Sequence, residues 1–268
     1  MRPNFVKHRL RAGEASIGTW TAIPSALSVR YLGKLGFDWI TVDCEHQPVS
    51  IDIAAAMFAA IAETGAIPLC RVPWNTAENI KRVLDCGAAG IVVPMVNTRA
   101  EAEAAVVAAK YPPAGLRSVG GSLHAANFRT DPATYYARAN DEILVVIQAE
   151  SPQAVENADD ILSVPGVDAV FIGPNDLLAQ MHKTPRMETD DPEFVQALAH
   201  IRETADKHGV APGIHTANHE MINRRLAEGF RFMALASDAR LMVAGAQREL
   251  SQLNWKSARA DGGEVLRY

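Results

Sequence analysis

Short apolar runs rich in β-branched residues alternate along this chain with longer, Ala-rich segments whose apolar positions recur at helical spacing. The runs predict strands at 15–19, 39–42, 67–70, 90–93, 143–148, 169–172, 211–214 and 230–235. The segments between and after them predict helices at 25–35, 51–64, 76–85, 99–110, 152–162, 192–208, 219–228 and 238–253. Ser50, Thr98 and Ser151 stand immediately before helical runs, where a hydroxyl can accept an unpaired first-turn N–H. Strands alternating with helices imply parallel pairing and right-handed crossovers, in a closed barrel or an open doubly wound sheet. Eight strand–helix units is the barrel number, and no G-x-G-x-x-G turn follows the first strand as a dinucleotide fold requires. The fold class expected is therefore α/β, a (β/α)8 TIM barrel. No low-complexity linker divides the 268 residues, so 1–257 read as one barrel domain and 258–268 as a tail, mobile or used at an interface. The stretch 111–140, Gly-rich and then short-helical, is expected to pass over one barrel end as a lid or an interface element.

Composition narrows the partners. Apolar residues make up 48% and charged residues 21%, an ordinary globular balance able to bury a large core. A net charge of -5 without a concentrated basic surface argues against nucleic acid and for a small-molecule partner. No apolar run approaches a membrane span, and residues 1–15 lack the apolar core of a signal peptide. Cys44, Cys70 and Cys86 form neither a metal-type pair nor a disulfide framework, which points to a reducing, cytoplasmic setting.

In such a barrel the chemistry lies at the C-terminal ends of the strands. Polar residues directly after the predicted strands are Trp20, Asp43, Glu45, His46, Arg71, Gln148, Glu150, Asp176 and His215. Glu150 and Asp176 follow consecutive strands and offer the hard oxygen ligands that suit Mg²⁺ or Mn²⁺, with positions left open for a chelating 2-keto acid. Either acid alone would serve equally well as an ordinary helix N-terminal residue. His46 follows two acids, Asp43 and Glu45; a histidine so flanked can act as a general base or be a plain loop residue. Arg71 presents a planar fork to a carboxylate or enolate oxygen, or forms a rim salt bridge. Gly173, Pro174, Asn175 and Asp176 form a turn whose backbone N–H groups can hold a substrate carboxylate, although Gly-Pro turns are common. Lys34, Lys81, Lys110 and Lys207 fall in helical segments and Lys183 in a loop, so imine chemistry is disfavoured. Cys44 and Cys70 read as structural thiols.

These residues resemble the HpcH/HpaI family of metal-dependent class II pyruvate aldolases, which includes the 4-hydroxy-2-oxoheptane-1,7-dioate and 2-keto-3-deoxy-sugar-acid aldolases. The resemblance is carried by FDWITVDCEH at 37–46, RVPWNTAENIKRVLDCG at 71–87, VPMV at 93–96, YPPAGLRSVG at 111–120, QAE at 148–150, VDAVFIGPNDL at 167–177 and APGI at 211–214. It implies a divalent ion, Mg²⁺ or Mn²⁺ with Co²⁺ or similar able to substitute, held by Glu150 and Asp176. It further implies Gln148 holding a metal-bound water or the pyruvyl group, Arg71 on the keto or enolate oxygen, and an acid/base dyad of His46 with Asp85 supported by Asp43. Trp20 and the 211–218 loop would shape the aldehyde pocket. A homo-hexamer built as a trimer of dimers, with the helix at 238–253 exchanged between partners, is also implied. His215 departs from the pattern, because an apolar side chain is usual there in the dioate aldolases; a more polar or hydroxylated aldehyde is expected as a result. Two other readings stay open at this point: an acyl-CoA lyase on the same barrel, and a non-catalytic barrel that binds keto acids.

Overall fold

A computed structural model describes residues 1–254, in which eight parallel strands close into a barrel in sequence order. They are β1 (Ser16–Thr21), β2 (Trp39–Asp43), β3 (Ile67–Arg71), β4 (Gly90–Val93), β5 (Leu144–Ala149), β6 (Ala169–Ile172), β7 (Ala211–Thr216) and β8 (Phe232–Ser237). Helices follow each strand and β1 pairs with β8, which is the α/β barrel expected from the alternation. Every residue of β2, β4, β5 and β6 is buried, because helices cover the outer face while side chains fill the inside. The tail assigned to 258–268 lies outside the described residues.

Two-residue alternation decides which side chains enter the lumen. Trp39 stacks on Phe232 with ring centroids 4.3 Å apart, Trp20 stacks on Phe171 at 4.9 Å, and Trp20 meets Trp39 edge to face at 5.9 Å. Four large rings fit only because glycines stand opposite them. A Cβ on Gly18 would lie 2.1 Å from a Trp39 ring carbon and 2.4 Å from the Trp39 carbonyl oxygen. One on Gly213 would lie 2.4 Å from the Phe232 carbonyl oxygen. The rings form the floor on which the site stands.

The other end of the barrel is closed by chain that the hydrophobic pattern did not predict as structured. Helix Phe5–Arg11 is too short to display a period, yet it buries Val6, Lys7 and Leu10. The buried Lys7 ammonium donates to the Ile143 carbonyl at 2.6 Å and to Asp168 at 2.8 Å, and Lys110 donates to the same carbonyl at 2.9 Å. The 111–140 stretch folds here too, with helices Leu123–Asn127 and Pro132–Glu142. Asn127 donates to the Gly87 carbonyl at 3.0 Å, and the Arg2 N–H donates to the Phe128 carbonyl at 2.7 Å. The stretch therefore lies at the N-terminal ends of the strands and is no lid over its own chain's site.

Smaller differences have local causes. Thr98 forms a capping box with Glu101 and Ser151 accepts the Ala154 N–H, whereas Ser50 makes no side-chain cap. The helix expected at 152–162 breaks into Pro152–Glu156 and Ala158–Leu162, where the Asn157 side chain turns to donate to the Asn97 carbonyl. Strands β1 and β8 each run two residues further than their apolar cores, so Trp20 lies inside β1. Replacing Gly18 by Ala forces Trp39 and its backbone to move, and chemical denaturation is expected to show a loss of about 2 kcal/mol or more. A change within about 0.5 kcal/mol would contradict this account of the lumen.

Candidate active site

Above the aromatic floor the strand ends surround a cavity of about 280 Å³. Trp20, Asp43, His46, Arg71, Gln148, Glu150, Gly173, Pro174, Asn175, Asp176 and His215 all line it and Glu45 stands against Arg71 and His46, so the structure brings together twelve of the thirteen residues singled out in the sequence. Asp85 is the exception. It ends helix Ala77–Asp85, which returns the chain to the closed end, and its carboxylate accepts from the buried Arg117 at 2.6 Å. Within one chain the expected His46–Asp85 dyad does not form.

Glu150 and Asp176 follow the paired strands β5 and β6. The Glu150 carboxylate is buried, at 2% exposure, and is placed by three contacts. Gln148 donates its amide to Oε1 at 2.5 Å, the Met95 N–H donates to Oε2 at 3.2 Å, and Gly173 clears the remaining side. A Cβ on Gly173 would lie 2.3 Å from Glu150 Oε1. Met95 takes a left-handed φ of 52°, a conformation that costs a non-glycine residue energy and here aims its N–H at the carboxylate. Burial, and next the negative charge of Asp176, push the Glu150 carboxyl up to about 8. Gln148 Oε1 is buried and has no hydrogen-bond partner among the described residues. No group of three or more His, Cys, Asp and Glu side chains arranged to hold a metal occurs among the described residues; the candidate centre is this pair of acids with the Gln148 oxygen beside them.

Among the described residues no basic side chain forms an ion pair with these two acids; the nearby Arg71, whose charge partly offsets the rise at Glu150, is occupied elsewhere. Arg71 donates from Nε and Nη2 to Asp43 at 2.9 and 2.6 Å, and its Nη1 lies 3.0 Å from Glu45. Asp43 also accepts the backbone N–H groups of Glu45 and His46 at 3.1 and 3.3 Å, which fixes the turn after β2. The exposed His46 ring sits at the mouth, with Nε2 3.6 Å from a Glu45 oxygen. Burial pushes the Glu45 carboxyl up, opposed by the charges of Arg71 and His46.

The opposite wall is aromatic and polar. Trp20 lies between Phe171 and His215, with the Arg71 guanidinium 5.8 Å from its ring centroid. His215 Nε2 is 3.1 Å from the Ala236 carbonyl, which can only accept, so Nε2 carries the proton and Nδ1 is left as an acceptor. That carbonyl is aimed by a bulge. Between Gly18 and Trp20 the β8 partner advances from Ala234 to Ser237, and Ala236 takes a φ of 49°. Burial, and next the positive charge of Arg71, lower the His215 imidazole to about 4. Ser237 and Arg240 complete this wall. Both were missed in the sequence because the expected strand stopped at 235; the polar residues after the true end of β8 were the available signal.

The family model described as HpcH/HpaI aldolase/citrate lyase matches residues 16–244. A 4-hydroxy-2-oxo-heptane-1,7-dioate aldolase of Escherichia coli is 39% identical over 246 residues, covering 91% of this chain and 92% of that protein. A 5-keto-4-deoxy-D-glucarate aldolase of Shigella dysenteriae is 37% identical over 246 residues, covering 92% and 95%. The crystal structure of an HpcH/HpaI aldolase/citrate lyase family protein from Burkholderia cenocepacia superposes with a TM-score of 0.87 at 30% identity, covering 93% of this chain and 98% of that one. Similarity that begins at the first residue of β1 and continues into the last helix shows that this chain belongs to the HpcH/HpaI aldolase/citrate lyase family.

Proposed function

We propose that the chain is a cation-dependent aldolase that reversibly cleaves a 4-hydroxy-2-keto acid into pyruvate, or a related 2-keto acid, and an aldehyde. The observation that carries this is the buried Glu150 carboxylate with the half-buried Asp176 acting on it, neither of them in an ion pair among the described residues. Two acids facing one cavity, an orphaned Gln148 oxygen and a glycine cleared for the carboxylate fit a hard divalent ion such as Mg²⁺ or Mn²⁺, held by Glu150 and Asp176. When bound, that ion supplies Lewis-acid stabilisation of the charge that develops on the 2-keto oxygen.

The chain's own residues account for the rest. Breaking C3–C4 requires loss of the 4-hydroxyl proton; C4 becomes the aldehyde carbon, and the bonding pair passes to C3 and the 2-keto oxygen as an enolate. Proton delivery to C3 then releases the 2-keto acid. Arg71 has five N–H groups, of which three are engaged by Asp43 and Glu45, so two remain to donate to the enolate oxygen. Asp43 and Glu45 fix the guanidinium at the cavity. Gln148 and the first-turn N–H groups of Asn175 and Asp176 orient the carboxylate end, and Trp20 excludes water beside the aldehyde carbon. His46, at the mouth, is the proton carrier. A dyad of His46 with Asp85 requires the Asp85 of another subunit. Helix Asp238–Ser251 supports an assembly, since it buries only Asp238 and exposes Met242 and Leu250, as an exchanged helix in a homo-hexamer would. No helix among the described residues is long and apolar enough to cross a membrane, in keeping with a cytoplasmic enzyme.

Glu150→Gln and Asp176→Asn are each expected to abolish pyruvate release from 4-hydroxy-2-keto acids, as is EDTA; full activity in EDTA would reject the mechanism. Gly173→Ala drives a methyl into the Glu150 carboxylate, so isothermal titration should show cation affinity reduced by about tenfold or more, and unaltered affinity would disprove the packing argument. His215→Leu should shift the kcat/KM ratio from short hydroxyaldehydes toward succinic semialdehyde; an unmoved ratio would remove His215 from acceptor choice. The same variant tests the lowered pKa. A histidine kept neutral by the fold binds fewer protons folded than unfolded, so its contribution is intact above about pH 6.5 and is lost as pH falls toward about 4, at up to about 1.4 kcal/mol per pH unit. Denaturation curves of wild type and His215→Leu should therefore diverge across that window, and parallel curves would contradict the assignment.

A further inference from the structure

Behind the Asp43–Arg71 pair lie two thiols that the cleavage described above does not use. Cys44 follows the last residue of β2, and Cys70 stands one place before Arg71 in β3, which pairs with β2 in parallel. Side chains alternate along a strand, so where Asp43 and Arg71 line the cavity, their neighbours Cys44 and Cys70 share the other face of the sheet. There the two sulfurs lie 3.6 Å apart, with Cys70 Sγ also 3.5 Å from the Arg71 carbonyl oxygen. The Cys44 N–H donates to that same carbonyl at 2.9 Å, so the backbone already holds the pair in register.

The two thiols are unlike. Cys70 is fully buried, and burial pushes its thiol well above the usual range. Cys44 is half-buried, and its contact with Cys70 lowers its thiol against the opposing effects of burial and the Asp43 charge. Thiolate character on the more accessible member, with a protonated thiol in contact behind it, is the arrangement of an attacking and a resolving cysteine. Cys86, which caps helix Ala77–Asp85 at the closed end, has its thiol raised instead, by burial first and then by the Asp85 charge. A sulfur–sulfur bond is about 2 Å long, so closing the Cys44–Cys70 pair requires the sulfurs to approach by about 1.6 Å. That displacement acts on the chain between Asp43 and Glu45, the two acids that hold Arg71, and on the residue before Arg71 itself.

We propose that Cys44 and Cys70 are a modification site for hydroperoxides, a dithiol that closes reversibly into a disulfide and thereby displaces Arg71 from its working position. The Cys44 thiolate attacks one peroxide oxygen; an S–O bond forms, the O–O bond breaks, and the departing oxygen takes a proton from solvent to leave as water or an alcohol. The Cys70 sulfur then attacks the Cys44 sulfur; the S–S bond forms, the S–O bond breaks, and hydroxide leaves with the Cys70 proton as water. Two electrons pass from the thiols to the peroxide, and a dithiol reductant reopens the bond by giving two back. The disulfide stands apart from the aldolase reading; only the loss of turnover rests on it.

In the test, the Mg²⁺-loaded protein is treated with hydrogen peroxide, catalase removes the excess, remaining thiols are alkylated, and peptides are mapped by mass. The expected map links Cys44 to Cys70 and leaves Cys86 alkylated. Pyruvate release from a 4-hydroxy-2-keto acid should fall by about tenfold or more through kcat, and dithiothreitol should restore it. Cys44→Ser and Cys70→Ala should each keep, after peroxide, the turnover they had before it. Cys44 and Cys70 both still alkylated, or Cys44 carried on to a sulfinic acid with Cys70 free, would overturn the proposal. So would a linked protein with unchanged turnover, or a loss of turnover that dithiothreitol does not reverse or that Cys44→Ser shares. A reduced wild type that releases no pyruvate rejects the aldolase reading, and the peptide map then decides the disulfide by itself.

Discussion

A buried carboxylate, Glu150, facing a second and half-buried one, Asp176, across the same cavity, with no ion-pair partner for either among the described residues, is the constraint to which the site is fitted. Burying one carboxylate near another is costly, and the cost appears as the raised Glu150 carboxyl. It persists because surrounding groups leave the side chain no alternative. Gln148 and the Met95 N–H hold both carboxylate oxygens, and Gly173 gives the space in which they sit. The left-handed backbone at Met95 belongs to the same device, since strain there is offset by the bond it makes. A neighbouring arginine would ordinarily settle between the two acids. Here Arg71 is drawn away by Asp43 and Glu45, which keeps the pair available and leaves a donor aimed at the same cavity.

The barrel supplies rigidity beneath this. Trp20, Trp39, Phe171 and Phe232 stack across the lumen, and the glycines opposite them make room for the rings. Because Trp20 belongs both to that stack and to the cavity wall, the wall is anchored in the core rather than in a mobile loop. The closed end is secured separately, by Lys7, Lys110 and Asp168 around the Ile143 carbonyl. Stability is thereby concentrated below the site and chemistry is confined to the strand ends.

Much of this was legible in the residues. Period-two and helical patterning yields the strand number and order, and strand-end position then picks out Asp43, His46, Arg71, Gln148, Glu150, Asp176 and His215, which do converge. What escaped lacks a local signal. Helix Phe5–Arg11 is too short to show a period, and its burial depends on partners more than 130 positions away, such as Ile143 and Asp168. The 111–140 stretch could be recognised as an excursion, but which barrel end it covers depends on contacts such as Asn127 with Gly87. Asp85 came from the family resemblance alone, and within one chain nine residues of helix carry it to the opposite end. Arg240 was hidden by a bulge, since the extra residue in β8 moved the strand end and the polar residues that follow it.

The most direct test is a Mn²⁺ titration of the cation-stripped protein followed by electron paramagnetic resonance, for the wild type and for Glu150→Gln. The account predicts one Mn²⁺ bound per chain in the wild type, with its spectrum altered by added pyruvate, and loss of that site in the variant. Mn²⁺ bound equally well by both proteins, or a wild-type spectrum indifferent to pyruvate, would contradict the claim that these two acids hold the ion that meets the substrate.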